Sequence, residues 1–308
     1  MIGGVYFAGL KGAVWALVVI RILNWLLNHL ALRHEAKKAS VPFSISTCLR
    51  EYPVLFAFSV PAFLSSTMVG PVRWGANALL VNQPNGYSEM GIFNAAYSFQ
   101  QFLLFLTLTL GHPLLPMITN ELETKNEKLE KVNMLSTWSL GVFSALPLLT
   151  FPEIIQTLFG KEFDFLTFNR TFILVILTTS IMIYKQGLAR VLQANGLMWW
   201  AFSSNIFWAT VLLLSAFLLV SFGSIGLAAA ILSAYILNIL VFIPLYTSRK
   251  LVPKGTIISI EAMIIWIVLI IVAVLSWLDI SIIIRIICLP IGFIITFMEF
   301  KRLYNKRT

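Results

Sequence analysis

The sequence predicts an all-α, polytopic membrane helix bundle of about nine spans, and three observations carry that prediction. Of 308 residues, 59% are hydrophobic and only 11% charged, too little polar surface to cover a water-soluble core. The apolar residues come in runs of about 20 or more, the length that crosses a hydrocarbon slab about 30 Å thick. Those runs lack the alternating polarity of barrel strands, so their backbone groups must be satisfied inside helices.

Nine runs follow in order: Val5 to Leu32, Tyr52 to Val81, Met90 to Ile118, Met134 to Phe151, Leu166 to Leu192, Met198 to Phe222, Ile225 to Tyr246, Ile257 to Leu278 and Ile280 to Phe300. Lys and Arg are retained on the cytosolic side of a membrane, and alternate loops differ sharply in them. One set holds Arg33, Lys37, Lys38 and Arg50, then Lys125, Lys128 and Lys131, then Lys185 and Arg190, then Arg249, Lys250 and Lys254, and last Lys301, Arg302, Lys306 and Arg307. The other set holds Lys11, Lys161 and Arg170. This asymmetry puts the C-terminus in the cytosol and, with nine spans, the N-terminus outside. The opening MIGGVYFAGLKG runs straight into a span without a polar lead-in or a cleavable signal, which reads as the middle of a larger protein and predicts an N-terminal truncation. A miscounted first helix, long and interrupted by glycine, is the alternative.

Between the spans, NELETKNEKLEKVN (Asn120 to Asn133) alternates charge at helical spacing and predicts a solvated helix or turn. FPEIIQTLFGKEFDF (Phe151 to Phe165) mixes apolar residues with isolated charges, a Pro and a Gly, and predicts an external interfacial helix and turn. The net charge of +9 is scattered among apolar runs rather than gathered on one solvated face, which argues against nucleic acid as a partner. Cys48 and Cys288 lie in a predicted loop and a predicted helix and suggest neither a disulfide framework nor a metal site. His29, His34 and His112 have no metal-binding spacing, and no nucleophile elbow or glycine-rich phosphate loop occurs, so no metal, cofactor or catalytic residue is expected.

A charged side chain deep in a bilayer costs about 2.5–3.5 kcal/mol on insertion scales and demands a partner, water or a function. In the first run Arg21, Asn24 and Asn28 share one helical face. In the second, Ser66, Gly70, Arg73 and Asn77 recur at helical spacing beside Trp74, and in the third Asn94, Tyr97 and Gln101 repeat the pattern. Three polar stripes on successive helices predict one hydrated chamber. For each neutral residue alone, interhelical hydrogen bonding is the default reading; Arg21 and Arg73 favour the cavity. Arg285 falls near the predicted outer face, where its stem can snorkel to the head groups. Lys185 and Arg190 either line an inner vestibule or anchor the interface.

All thirteen acids lie in loops or near helix ends, with Glu89, Glu261 and Glu299 the nearest to exceptions. A cation or proton antiporter needs an intramembrane carboxylate. Guanidinium groups instead suit a phosphate or pyrophosphate, which Arg binds through paired hydrogen bonds. The expected substrate is anionic. Hinges are expected at Pro61, Gly70 and Pro71, at His112 and Pro113, and at Pro290 and Gly292, and Gly226, Ala230 and Ala234 predict a seam of close helix packing.

The strings FSVPAFLSSTMVGPVRWGANALLV and YSEMGIFNAAYSFQQFLLFL, followed by ITNELE, FPEIIQTLFGKEF, LARVLQANG and FGSIGLAAAILSAYILNILVFIPLY, resemble the O-antigen and polysaccharide flippases of the multidrug/oligosaccharidyl-lipid/polysaccharide exporter superfamily. The resemblance covers nearly the whole chain and rests on order and spacing. It implies a division into residues 1–50, the last helix of a truncated N-terminal lobe with a cytosolic linker; residues 51–250, a six-helix C-terminal lobe; and residues 251–308, an extra helix pair with a basic tail. It implies a multi-pass transporter of the bacterial inner membrane, moving an undecaprenyl diphosphate-linked oligosaccharide by alternating access without covalent chemistry. Arg73 and Arg21 would draw in the diphosphate sugar head, Asn77, Asn94, Tyr97 and Gln101 would meet glycan hydroxyls, and the helices around Ile257 to Phe300 would offer the tail a groove. Partners would be membrane lipids, the missing N-terminal lobe and polysaccharide assembly proteins. The departure from the family's two-lobed pattern leaves two rivals standing: a cation-coupled drug or metabolite antiporter of the same superfamily, and an inactive fragment or membrane scaffold.

Overall fold

A computed structural model of the chain describes residues 2–40, 52–120, 126–159, 164–251, 255 and 258–306. The predicted loop residues Cys48, Arg50, Lys125, Lys161, Lys254 and Arg307 lie outside the described residues. Among those described, every regular element is helical and none is a strand. Eight helical stretches are long and apolar enough to cross a membrane. The longest, Met198–Ser248, holds two helices, because the chain turns at Val220–Phe222 and at Gly223, whose φ of 67° favours glycine. The chain divides into two compact units, Met1–Pro53 and Val54–Thr308.

The first unit carries α1 (Ile2–Lys38). Its helical path breaks at Ala8 and Gly9, the latter at φ 55°, so the glycine interruption visible in the sequence is a real kink. Beyond the break the helix is mostly exposed, and most of its exposed side chains are apolar, as suits a helix whose surroundings are not water. Trp25 stacks on His29 with ring centroids 5.8 Å apart.

The boundary between the units falls in a short turn, α2 (Tyr52–Val54), and the second unit continues with a π-helical turn at Leu55–Ser59 that leads into α3 (Val60–Val81). Pro61 has no N–H to give the preceding turn, and the wider turn lies where that bond is lost. Pro71 leaves α3 continuous. The third predicted run divides into α4 (Gly86–Gly111) and α5 (Leu114–Asn120), interrupted at His112 and Pro113 as expected. The next helix, α6 (Glu127–Thr150), starts before its apolar part because the Asn126 side chain accepts from the Lys128 and Leu129 amides and caps it. Pro152 opens the short α7 (Pro152–Thr157), the helix read from FPEIIQT. Asp164 caps α8 (Phe165–Ala194) by accepting from the Thr167 amide at 2.9 Å.

Antiparallel helices α9 (Met198–Leu219) and α10 (Gly223–Ser248) fold back on each other, pairing Ser204 with Asn238 and Trp208 with Tyr235. Their approach depends on the predicted seam: Gly226, Ala230 and Ala234 are buried, and a Cβ on Gly226 would lie 1.8 Å from the Leu219 carbonyl oxygen. The last pair, α11 (Ile260–Trp277) and α12 (Ile282–Asn305), packs on α6 and belongs to the same compact unit.

Helix α8 is the centre of this unit, flanked by α4, α6 and α10. Its Phe168, Phe172, Ile173, Ile176 and Ile183 are wholly enclosed. An aromatic cluster ties four helices together: Trp138 lies 4.9 Å from both Tyr184 and Phe300, and Tyr184 lies 5.6 Å from Trp266. Packing of rings edge to face adds about 0.5–1.5 kcal/mol per pair beyond simple burial.

Candidate functional site

Helix α8 also carries Lys185 and Arg190, and Arg73 of α3 reaches its neighbour α4. Arg73, on α3, reaches α4, where its guanidinium donates to the Tyr97 hydroxyl, lies 4.4 Å from the centre of that ring, and donates to Gln100 Oε1 at 3.4 Å. Gln100 in turn donates to Met182 Sδ on α8 at 2.8 Å. The structure thus brings Arg73 and Tyr97, read in the sequence as parts of separate polar stripes, into contact. Gln101 and Asn94 are instead exposed, and Asn77 is half-buried.

The reason is one of phase. The buried stripe of α4 runs through Phe93, Ala96, Gln100, Leu103 and Thr107, and the predicted stripe of Asn94, Tyr97 and Gln101 is displaced from it by one residue, about 100° around the helix. Only the long tyrosine side chain spans the offset. On α3, Ser66 and Gly70 are likewise exposed, while the neighbouring Ser65 is buried and accepts from Asn205 Nδ2 at 2.6 Å. In the first unit, Arg21, Asn24 and Asn28 are all exposed.

Lys185 and Arg190 both turn into the bundle. The Lys185 ammonium donates to Asn238 Oδ1 and lies 5.5 Å from the centre of the Tyr235 ring. Asn238 is completely buried and is held by donating to the Ser204 carbonyl at 2.8 Å. Met182, which Gln100 contacts, lies three residues before Lys185 on α8, about one helical turn, so the Arg73 and Lys185 groups are linked through α4 and α8. The next residue of α8, Gln186, donates to Thr107 Oγ1 at 3.0 Å. Arg190 donates from Nε to Asn133 Oδ1 at 2.6 Å, and from Nη2 to the Asn133 carbonyl at 2.8 Å and Thr137 Oγ1 at 3.1 Å.

Among the described residues, Arg73, Lys185 and Arg190 make no salt bridge; their hydrogen-bond acceptors are neutral. The enclosed acids are engaged elsewhere. Glu89 accepts from the Ser224 amide at 2.7 Å at the start of α10, where a helix terminus favours negative charge. Glu299 pairs with Arg302 at 2.6 Å. Arg190 is buried and Arg73 and Lys185 are half-buried, so these cations carry charge that no acid among the described residues compensates, partly withdrawn from water, where an anion gains more than it would at the surface.

Arg285 departs from its expected snorkelling. It is 5% exposed and pairs with Glu153 at 2.5 Å, with Asp279 farther off at 3.8 Å, and donates to the Thr150 and Ile280 carbonyls at 3.0 and 2.9 Å. The acid from α7 and the free carbonyls at the end of α6 offer it more than the head groups would. Among the described residues no group of three His, Cys, Asp or Glu could hold a metal ion, and Cys288 is a free, half-buried thiol.

Comparison with protein-family models, with curated proteins and with solved structures finds no match to this chain.

Sequence reasoning did not single out Gln100, Asn133, Thr137, Ser204 or Asn238. A signal existed for Asn238, the lone amide within the apolar run ILNILVFI. For the others, which polar residue faces inward follows from the position of α8 and not from spacing along their own helix.

Proposed function

We propose that this chain forms part of a flippase that carries an anionic, lipid-linked oligosaccharide, with a diphosphate between lipid and sugar, across the bacterial inner membrane. In this reading the chain crosses nine times, with Met198–Ser248 counted as two crossings, its N-terminus outside and its C-terminus in the cytosol. The observation that carries the reading is the set of three cations, Arg73 on α3 and Lys185 and Arg190 on α8, held by neutral acceptors. A cation withdrawn from water that pairs only with amides and hydroxyls retains its charge for a ligand. A diphosphate reaching these cations would replace those weak acceptors with charge-assisted bonds, about twice as strong as neutral ones. The likeness to polysaccharide flippases noted in the sequence supports the same substrate class.

The mechanism asks no bond to form or break. Arg73 would take phosphate oxygens while Tyr97 and Gln100 release it, Lys185 would follow from α8, and the polyprenyl tail would remain among the exposed apolar side chains. Engagement of Glu89, Glu153 and Glu299 by protein partners weighs against a cation antiporter. A second reading, an assembly partner without transport, draws on the exposed Asn94 and Gln101, which in an apolar helix suit contact with another polar protein surface.

The test is export of surface polysaccharide in cells lacking their own O-antigen flippase, supplied with this chain alone or with a complementary lobe. Arg73→Ala should abolish export while the protein stays in the membrane at normal level, and Arg73→Lys should recover part of it. Normal export from both variants, or no export under either arrangement of the unaltered chain, refutes the transport reading.

A further inference from the structure

Away from these cations, the end of α12 combines two features that do not otherwise occur together. Lys301, Arg302 and Lys306 with Asn305 and Met298 line a cleft of about 460 Å³, within the range of about 300–1,000 Å³ common for small-ligand sites. Leading to it along the same face of the helix are Ile287, Ile291, Ile294 and Met298, each about half exposed or more. Their spacings of four, three and four residues make one continuous stripe. From Ile287 to Met298 that stripe rises about 16 Å, close to the roughly 15 Å hydrocarbon depth of one leaflet.

We propose that this surface binds one anionic phospholipid, its phosphodiester head in the cleft and an acyl chain along the isoleucine stripe. The charge balance favours an anion. Arg302 and Lys306 are partly neutralised by Glu299 at 2.6 Å and Glu261 at 2.9 Å, whereas the exposed Lys301 has its ammonium free of any acid among the described residues. Lys131 adds a further cation next to the cleft by donating to the Lys306 carbonyl. Those same contacts fix the cleft in place: Glu299 is buried, and Glu261 and Lys131 come from α11 and α6. The site is thus lined by α12 and braced by α11 and α6, unlike a mobile basic tail. An amphiphile fits it better than a free anion, because the cationic cleft and the apolar stripe are continuous. Tyr304, half exposed in the same turn, belongs to the residue class that collects at head-group level.

The experiment uses the purified full chain in a neutral detergent, titrated separately with phosphatidylglycerol, phosphatidylcholine and soluble glycerol 3-phosphate, with bound lipid read by native mass spectrometry and thermal unfolding followed in parallel. Phosphatidylglycerol should bind with one strong site and raise the unfolding temperature, and the other two should not. Lys301→Gln combined with Asn305→Ala, both exposed positions, should weaken that site about fivefold or more, the order expected for one cation at an anionic surface. The control Lys128→Gln, an exposed lysine on α6, should leave it unchanged. Equal binding of phosphatidylcholine, full retention of the strong site in the double variant, or an equal weakening by Lys128→Gln overturns the proposal. Binding of glycerol 3-phosphate as tight as that of the lipid overturns the lipid as occupant. None of these outcomes depends on whether the chain exports polysaccharide.

Discussion

Replacing Arg285 by Ala removes one half of an enclosed ion pair, and its cost can be worked from the contacts. The guanidinium holds Glu153 at 2.5 Å and the Thr150 carbonyl at 3.0 Å. Removing a single partner from a buried pair costs about 3–5 kcal/mol because the other charge stays enclosed. The Glu153 side chain keeps 21% of its surface and rehydrates in part, which places the loss near the lower end, about 3 kcal/mol. The Thr150 carbonyl retains the Ser276 hydroxyl at 3.4 Å and adds little. In a unit of this size, about 3 kcal/mol lowers the unfolding temperature by roughly 6–12 °C. Glu153 Oε2 is buried without a partner even in the intact protein. Replacing both residues by apolar ones of similar size, Arg285→Met with Glu153→Leu, should therefore recover most of the loss. The assay is thermal unfolding of the purified chain in detergent, followed by tryptophan fluorescence. A single Ala variant within about 1 kcal/mol of the unaltered protein, or a double variant no more stable than Arg285→Ala, refutes the reasoning.

Three further outcomes follow from local geometry. Gly226→Ala should destabilise the α9–α10 contact by at least about 2 kcal/mol, since its Cβ would meet the Leu219 carbonyl oxygen at 1.8 Å, whereas Gly70→Ala, with nothing within 4 Å, should be neutral or stabilising by up to about 1 kcal/mol in the same unfolding assay. Asn238→Ala should cost about 1–3 kcal/mol by leaving the Lys185 ammonium and the Ser204 carbonyl without their shared partner, and Asn238→Gln should not restore it if the geometry is as tight as the 2.8 Å bond implies. Asp164 has its pKa lowered below 3.8 by hydrogen bonds from the Thr167 side chain and amide, so its contribution to the first turn of α8 is complete above the ordinary aspartate value and is lost as pH falls through the lower folded one; amide exchange at Thr167 should accelerate below about pH 4 beyond its intrinsic pH dependence, and Asp164→Asn should remove that extra acceleration.

Much of the secondary structure was legible because it depends on neighbours in sequence. Run length announced the long helices, Pro113 marked an interruption, the runs ending at Phe222 and starting at Ile225 bracketed a turn, Pro152 opened α7, and the small-residue spacing of Gly226, Ala230 and Ala234 marked a close contact. The side-chain network was less legible because it joins residues far apart in the chain. The polar stripe of α4 was visible, but a helix period fixes only the relative phase of its own residues. Which phase turns inward depends on where α8 lies, and a displacement of one position put Gln100 inside and Gln101 outside. Arg285 shows the same limit. Its distance from the membrane boundary suggested snorkelling, yet Glu153, which belongs to α7, offers an anion nearer than the head groups.

Four cations of the bundle interior, Arg285, Arg73, Lys185 and Arg190, thus divide into two kinds, and the division carries an argument about function. Arg285 has an acid, so its charge is spent on the fold. Arg73, Lys185 and Arg190 rest on a phenol, amides and a threonine hydroxyl, which satisfy the donors but leave the charge. If all four were structural, replacement of any of them by a neutral residue of similar length would act alike, lowering stability and export together. If the neutral-paired three serve an anion, Arg73→Gln should keep the unfolding temperature within about 2 °C of the unaltered protein, because a half-buried amide can still reach Tyr97 and Gln100 at a cost of about 0.6 kcal/mol per interhelical bond lost. Export should nonetheless fall by tenfold or more. Arg285→Gln should show the reverse: a large fall in unfolding temperature, with export lost only in proportion to the folded protein remaining. A variant series in which export tracks stability at both positions would assign these cations to the fold and remove their claim on a substrate.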